Sequence, residues 1–325
     1  MNDTVELYVG ARSEIGFGKE IERGTAVAPA TGGWQPHEGY DFRPIVEKLR
    51  DEAAVGHIAG VINAYLHRLS SEGSVPLRLT KDFIGHLANM LTGQSPQTTS
   101  LGGGKYRHVW NLANTNRHQT YTIQTYDPVR GYLAYPLAIL VDCAFELNIG
   151  SMAKVTPNFY AGEEEVGSAT SRTYPNTYEY PVFMPNALNA YIADTMADLD
   201  TADALDIEGV PFSIGKNAVK RFRLGKLGVA DNINQRFEAG GTIEGAYASS
   251  VLRTLAHTNV HKAIRIEAKD SDATLKIDFP RCSFEDWSKD PELAAYMKNS
   301  VAWFAELHTT DGVMKITLEN HIASY

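Results

Sequence analysis

The stretch 71–93 constrains the fold of this chain most strongly, because a strand pattern there runs directly into a helix pattern. Apolar side chains alternate with other residues over 75–79, which predicts a half-buried strand. Thr80 then occupies an N-cap position, Asp82 falls in the first turn, where a negative charge suits the helix dipole, and Gly93 is a natural stop. The predicted apolar face of this helix, which we expect to plug a β domain, consists of Phe83, Ile84, Leu87, Met90 and Leu91.

The same unit recurs in the second half, where a strand-like run from Gly241 is followed by a helix-like run that ends at His257. Phe42 stands 31 residues before Gly73 (73 − 42). Phe212 likewise stands 29 residues before Gly241 (241 − 212). Each glycine opens a similar triplet, Gly-Ser-Val in the first half and Gly-Thr-Ile in the second. These matches predict an old duplication of one β-rich domain, with chance similarity between strands as the alternative.

A second pair of similar segments points to the same duplication. A Glu-Leu dipeptide and a turn lead to Lys154-Val-Thr in the first half and to Lys315-Ile-Thr in the second. The order of the predicted elements is also shared between the halves. The sequence therefore predicts two duplicated β-sandwich or barrel domains, 1–165 and 185–325, each with a flanking α-helix. A polar segment at 166–184 is the predicted linker between them.

Most of the remaining patterns are those of β-strands, so the predicted fold class is mainly β (β+α). Strands are expected in the first half at 3–10, 42–49, 120–126, 132–149 and 154–159. Strands are expected in the second half at 212–214, 219–224, 242–247, 263–268, 274–279, 301–308 and 313–322. Extended or loop structure is expected at 10–39, 50–62 and 94–116, and a further helix within 185–203.

Composition and charge exclude several classes of protein. No run approaches the ~18 apolar residues of a membrane helix, and the first residues lack the pattern of a secretion signal. We therefore expect folding in a cytoplasm and no membrane span. The net charge of −9 gives a surface that repels nucleic-acid phosphate, which argues against a nucleic-acid-binding role. Cys143 and Cys282 both lie in apolar runs, so buried thiols are expected.

The sequence offers no catalytic constellation, so we expect neither enzymatic activity nor a cofactor. His257 and His261 have the i, i+4 spacing of metal ligands, but Thr-Asn interrupts the helix pattern between them. Residues 102–105, Gly-Gly-Gly-Lys, lack the first glycine and the following Ser or Thr of a phosphate-binding loop. The acidic run 198–206 fails the EF-hand pattern and is interpreted as a solvated surface.

Several short segments together resemble the tail tube (major tail) proteins of long-tailed bacteriophages. The stretch 22–29, Glu-Arg-Gly-Thr-Ala-Val-Ala-Pro, is similar to the opening signature of that family. Phe42-Arg-Pro and the acidic, glycine-containing stretch 51–60 resemble the segments that follow it. The strand-to-helix junction at 72–75 and the closing strand at 313–325 are also similar to those of the family.

The resemblance implies a non-enzymatic structural protein of the virion tail, assembled in the host bacterial cytoplasm. Its subunits are expected to form rings that stack into a hollow tube, and in two-domain members three chains make a pseudo-sixfold ring. The implied partners are further copies of the chain, the tape measure protein, and the tail terminator and distal tail proteins. DNA is expected to pass through the tube without specific binding. We expect no contractile sheath around it.

The same resemblance suggests a ring-to-ring contact in the loop that follows the first long strand pattern. The candidate contact residues are Arg50, Asp51, Glu52, Val55, His57 and Ile58. Two alternatives to a phage tail tube stay open. The 4 tryptophans and 16 tyrosines would suit a carbohydrate-binding or hydrolytic β-sandwich. A tube subunit of a phage-like secretion system is the other alternative, although such subunits usually have a single domain.

Overall fold

The computed structural model describes residue 10 and residues 13–30, 33–53, 58, 60–167, 182–248, 250–291 and 296–325. Antiparallel β-strands make up most of this part of the chain, and two short α-helices accompany them. The predicted fold class, mainly β with little helix, is therefore confirmed.

The described residues of the first half form eleven strands and one helix. They are β1 (Ile15–Lys19), β2 (Trp34–Gln35), β3 (Arg43–Asp51), β4 (Asn63–Ser74), β5 (Leu77–Arg78), α1 (Ile84–Thr92), β6 (Gln97–Gly102), β7 (Lys105–Asn111), β8 (Tyr121–Asp127), β9 (Gly131–Glu146), β10 (Lys154–Ala161) and β11 (Glu165–Val166). The second half contains β12 (Leu188–Ala193), β13 (Phe212–Gly215), β14 (Val219–Arg221), β15 (Asp231–Ile233), β16 (Glu238–Ala246), α2 (Val251–His257), β17 (Lys262–Lys269), β18 (Thr274–Asp290), β19 (Lys298–Ala305) and β20 (Lys315–Asn320).

Two element predictions were wrong. The predicted helix within 185–203 is instead strand β12 between two short 3-10 turns, Pro185–Ala187 and Asp198–Asp200. β12 pairs along its whole length with β17, and this sheet pairing outweighs the weak helical periodicity of the segment. The predicted loop 94–116 contains the hairpin β6–β7. Every residue of β6 is exposed, so its sequence lacks the alternation of apolar and polar residues that indicates a strand.

Two other predictions need smaller corrections, and two lie partly outside the described residues. The expected loop 50–62 is shorter, because β3 continues to Asp51 and β4 begins at Asn63. The expected arm at 10–39 contains the short strands β1 and β2. Residues 3–9 of the predicted first strand and residues 168–181 of the predicted linker lie outside the described residues.

Helix α1 begins one turn later than the sequence suggests. The Phe83 N–H donates to Thr80 Oγ1 at 3.3 Å, so the threonine caps a turn that precedes the regular helix. Asp82 lies in that turn, and burial raises the pKa of its carboxyl. The helix ends as predicted at Gly93, which has a φ of 80° and an N–H that donates to the Asn89 carbonyl at 2.8 Å.

The predicted apolar face of α1 lies in the core. Its five side chains are at most 2% exposed: Phe83, Ile84, Leu87, Met90 and Leu91. The Phe83 ring lies 4.9 Å from the Phe17 ring of β1, which in turn lies 5.7 Å from the Phe159 ring of β10. The helix therefore covers the side of the first-half strands on which β1 and β10 meet.

The two halves repeat one order of strand pairing. The first half runs β3-β4-β10-β9-β8-β1, and every pair in it is antiparallel. The second half runs β13-β16-β19-β18-β17-β12, again entirely antiparallel. In both series the helix directly follows the second strand or its short extension, and the fourth strand is the longest. Short strands β11 and β20 extend the pairing on the fourth strands β9 and β18, respectively.

The phenylalanine and glycine of the sequence repeat occupy equivalent places in this order. A Cβ atom added to Gly73 would lie 2.5 Å from the Phe42 Cα atom. A Cβ atom added to Gly241 would lie 2.5 Å from the Phe212 Cβ atom. In each half, the second strand therefore needs a glycine at the point where it lies against this phenylalanine.

The second sequence match does not correspond to equivalent strands. Lys154 begins β10, which pairs with β4, β5 and β9. Lys315 begins β20, which pairs with β18 and β7 and takes the place that β11 has in the first half. The counterpart of β10 is instead β19. Similar short amphipathic strands therefore produced a false match.

The halves are joined by strand pairing. β13 pairs antiparallel with β9, with Phe212 opposite Phe145 and Gly215 opposite Asp142. The Phe145 and Phe212 rings stack at 4.4 Å and an interplanar angle of 5°. β20 also pairs with β7 over six residues. The first four strands of each series therefore lie in one continuous sheet, in the order β3-β4-β10-β9-β13-β16-β19-β18.

Candidate assembly surfaces

The β3–β4 hairpin presents apolar side chains to solvent. Four of these side chains are between 44% and 55% exposed: Val46, Leu49, Tyr65 and Leu66. Ile58, between the strands, is fully exposed. A two-stranded ribbon with apolar groups on its surface is unstable by itself and indicates a surface that another chain covers.

The candidate contact residues lie on or near this hairpin. Arg50 and Asp51 are the last two residues of β3, Glu52 follows them, and Ile58 is exposed between the strands. Val55 and His57 lie outside the described residues. The sequence placed Arg50 and Asp51 in a loop, and the structure places them in a strand.

The corresponding hairpin of the second half, β14–β15, is held against the first half. Lys220 donates to Ser70 Oγ at 3.0 Å and to Glu72 Oε2 at 2.6 Å. The Leu69 N–H donates to the Leu227 carbonyl at 3.0 Å. The second-half hairpin therefore already packs on strand β4 of the first half, whereas the apolar side chains of the first-half hairpin stay exposed.

Two strand edges in the continuous sheet have no partner among the residues that the structure describes. One is the edge of β3 that faces away from β4. The other is the part of β18 that follows its pairing with β17, over residues 283–290. Both are largely exposed, and unpaired strand edges readily pair with strands from another chain.

The chain matches, over residues 10–303, a family model described as "Phage tail tube protein". The chain belongs to the phage tail tube family. Because the match covers both halves, it confirms the resemblance found in the sequence and makes this a structural protein of the virion tail. Membership also implies that the tail tube protein associates with itself into a tube. No curated protein matches the chain.

The opening signature of this tail tube protein connects its two halves. Arg23 Nε lies 2.7 Å from Asp231 Oδ1, and its guanidinium also donates to the carbonyl oxygens of His118, at 2.6 Å, and Asn232. One planar guanidinium thus joins the β7–β8 connection of the first half to β15 of the second. Sequence reasoning missed this role, because no local pattern links Arg23 with a carboxylate 208 residues away.

A buried carboxylate fixes the segment that carries Arg23. Glu20 is 3% exposed and accepts hydrogen bonds from the backbone N–H groups of Gly24 and Leu137 and from the hydroxyls of Thr120 and Thr122. Four donors satisfy the carboxylate without a cation. These hydrogen bonds hold the signature segment beside β8 and β9.

A buried lysine provides another link between the halves. Lys216 follows β13, is 1% exposed, and donates through Nζ to the Met90 carbonyl in the last turn of α1. Burial lowers the pKa of Lys216 to about 7. The nearby imidazole of His118 is also buried, and its pKa is lowered to about 4, chiefly by burial. These are the pKa shifts of tightly packed polar groups at the junction.

The described residues contain no group of three or more His, Cys, Asp or Glu side chains arranged to hold a metal ion. α2 ends at His257, whereas His261 Nδ1 lies 3.0 Å from Ser283 Oγ, so the two histidines do not share a helix. Residues 102–104 form the turn of the β6–β7 hairpin. Within the described part of the chain, no helix is long and apolar enough to cross a membrane.

Proposed function

We propose that this chain is the repeating subunit of a hollow tail tube, through which DNA is delivered. In this proposal three copies close into a ring and the rings stack. The observation that carries it is the repeated strand order, joined within one chain by β13 on β9. If each junction between chains copies that internal junction, every domain has the same neighbours, and a closed ring contains an even number of domains.

We also propose that the halves arose by duplication, with domains at 1–165 and 185–325 and a linker at 166–184. The equivalent close approaches of Gly73 to Phe42 and of Gly241 to Phe212 support it. Chance similarity between strands would not by itself place the same pair of residue types at the same crossing in both halves.

The exposed β3–β4 hairpin is the proposed contact between stacked rings. Arg50, Asp51, Glu52 and Ile58 lie on it or directly beside it, and Val55 and His57 belong to the same connection. The apolar side chains of the hairpin would become buried by the neighbouring ring. Burial of exposed apolar surface contributes roughly 25 cal/mol per Å², so several side chains in each subunit give a substantial contact.

A hollow tube has a lumen and two ends, and each of these would bind a further partner protein. The tape measure protein would occupy its lumen before ejection, and the terminator and distal tail proteins would bind its two ends. A net charge of −9 fits a channel that conducts DNA without binding it. Assembly would take place in the host cytoplasm.

The distribution of tryptophan argues against the carbohydrate-binding alternative. Trp34, Trp110 and Trp303 are at most 2% exposed and lie in the core, where they cannot stack on a sugar. Trp287 is partly buried and packs near Tyr247 and His257. These rings do not form the open aromatic platform that sugar stacking requires.

Polar replacement of the hairpin tests the proposed function. A variant with Val46→Thr, Leu49→Thr, Tyr65→Thr and Leu66→Thr should form rings but few or no tubes, because the stacking surface loses its apolar groups. The numbers of rings and tubes would be counted in negative-stain electron micrographs. The control variant, Val129→Thr with Val251→Thr, changes apolar residues of 77% and 54% exposure elsewhere and should form normal tubes. Normal tubes from the hairpin variant would reject the stacking role, and wild-type protein that forms neither rings nor tubes would reject the function.

A further inference from the structure

We propose that a cavity between the two halves of the chain binds inorganic hydrogen phosphate. The cavity has a volume of about 600 Å³, which lies in the range of sites that hold small molecules. The β7–β8 connection of the first half lines one part of it, and the segments that follow β13, β15 and β19 of the second half line the rest. The site would be present in a single chain, whether or not copies of the chain close into a ring.

The side chain of Asn234 shows that the cavity can hold a polar ligand. Asn234 is 4% exposed and lines the cavity, yet neither its Nδ2 nor its Oδ1 has a hydrogen-bond partner within the described part of the chain. The backbone of this residue is fixed, because its N–H donates to the Asn116 carbonyl at 3.0 Å. A buried amide without partners costs folding free energy and is normally satisfied. Asn234 therefore offers a donor and an acceptor to a molecule in the cavity.

Lys216 provides a positive charge at the same cavity. Its side chain lines the cavity and is 1% exposed, and Nζ donates to the Met90 carbonyl. Among the described residues, the charge that acts on Lys216 is that of Arg23, which is a second cation. An ammonium group has three N–H donors, so two are left for a ligand. An anion beside Nζ would stabilise the charged form that burial disfavours.

The other titratable side chains of the cavity are compatible with an anion. His118 Nε2 donates to the Ala113 carbonyl at 3.1 Å, and the low pKa of the ring, about 4, keeps it neutral near pH 7. Asp311 is the only carboxylate among the described lining residues. It is exposed and its Oδ2 lies 2.9 Å from His308 Nδ1, so solvent and this partner weaken its repulsion of an anion. The buried part of the cavity is therefore positively charged whenever Lys216 is protonated.

The unpartnered groups specify the kind of anion. Lys216 Nζ and Asn234 Nδ2 require acceptor oxygens, whereas Asn234 Oδ1 requires a donor. Hydrogen phosphate supplies both, because it keeps an O–H near pH 7. Sulfate has a similar size but no O–H, and the phosphate group of a monoester has largely lost its O–H at this pH. Water could satisfy the amide, but it brings no charge to offset that of a buried ammonium.

Equilibrium dialysis of the full chain against radiolabelled inorganic phosphate, at about pH 7, tests the proposal. We expect saturable binding of one phosphate per chain. Unlabelled phosphate should compete at least about tenfold better than sulfate or methyl phosphate, because neither competitor satisfies Asn234 Oδ1. Phosphate at about ten times its dissociation constant should also raise the melting temperature by about 2–4 °C, while sulfate at the same concentration should have a smaller effect.

The Asn234→Leu variant separates binding from folding. Leucine has a similar shape, and the amide that it replaces makes no hydrogen bond within the described residues, so the variant should melt no lower than the wild type. Its affinity for phosphate should fall at least about tenfold, since both polar atoms are lost. Asn114→Ala is the matched control, because Asn114 lines the cavity but is exposed. Its affinity should stay within about threefold of the wild-type value.

Three results would reject the phosphate site. They are the absence of saturable binding, equal competition by sulfate and phosphate, and unchanged affinity in a folded Asn234→Leu variant. None of them bears on assembly, because rings and tubes are detected separately by electron microscopy. A wild-type protein that forms tubes without binding phosphate would thus reject the site and leave the proposed function intact.

Discussion

Alanine at Gly241 is expected to lower the free energy of unfolding by about 2–5 kcal/mol, and alanine at Gly73 by a similar amount. At Gly241 the new Cβ atom would lie 2.4 Å from the Pro211 carbonyl oxygen, so the backbone must move. At Gly73 the Cβ atom would approach the Phe42 Cα atom, and the φ of 145° adds strain for any residue with a side chain.

Thermal unfolding followed by circular dichroism, at equal protein concentrations, measures both effects. Gly150→Ala is the control, because a Cβ atom there meets no heavy atom within 4 Å. Its melting temperature should stay close to that of the wild type. If the Gly241→Ala variant were as stable as this control, β13 and β16 would not approach each other as closely at Gly241 as the structure shows.

Replacement of Arg23 with methionine is expected to cost about 3–5 kcal/mol, because the Asp231 carboxylate would lose its principal partner in a mostly buried site. The carbonyl oxygens of His118 and Asn232 would also lose the guanidinium as a donor. Arg117 Nε lies 3.5 Å from Asp231 Oδ2 and would replace part of the lost ion pair. The replacement would be only partial, because the Arg117 side chain is largely exposed to solvent.

Chemical denaturation provides the measurement. Arg236→Met is the matched control, because this arginine pairs with Glu238 at the surface and its loss should cost less than about 1 kcal/mol. Adding Asp231→Asn to the Arg23→Met variant should recover part of the loss, since it removes the unpaired charge. Equal losses at Arg23 and Arg236 would contradict a structural role for the signature segment.

Local patterns predicted the elements whose determinants lie close together in the sequence. The apolar face of α1 and its end at Gly93 depend on residues within three turns of helix. The sequence also shows the matched spacings of Phe42 from Gly73 and of Phe212 from Gly241. Each glycine is required because the close approach of the two strands leaves no room for a side chain. Such positions leave a signature that a single sequence retains.

Elements determined by distant partners could not be predicted in the same way. β12 is a strand because β17, about 75 residues later, provides its pairing edge. Arg23 and Lys216 link the halves through single side chains, and neither has a periodic neighbour that would mark it. The match of Lys154 with Lys315 failed for the opposite reason, since short alternating strands resemble one another without being equivalent.

The candidate assembly surfaces were predicted only in part. The sequence drew attention to residues 50–58, but as a loop, because their glycine and alanine content hides the strand that ends at Asp51. The free edges of β3 and β18 become visible only when the pairing of all strands is known. An edge is defined by the absence of a neighbour, which no local pattern encodes.

Native mass spectrometry of the assembled protein, dissociated to its smallest closed ring, tests whether three chains form one ring. We expect a ring with three times the 35.7 kDa mass of the chain. Class averages of the same sample should show six similar lobes that alternate between two kinds. A ring of six chains, or a chain that stays monomeric at every concentration tested, would contradict it.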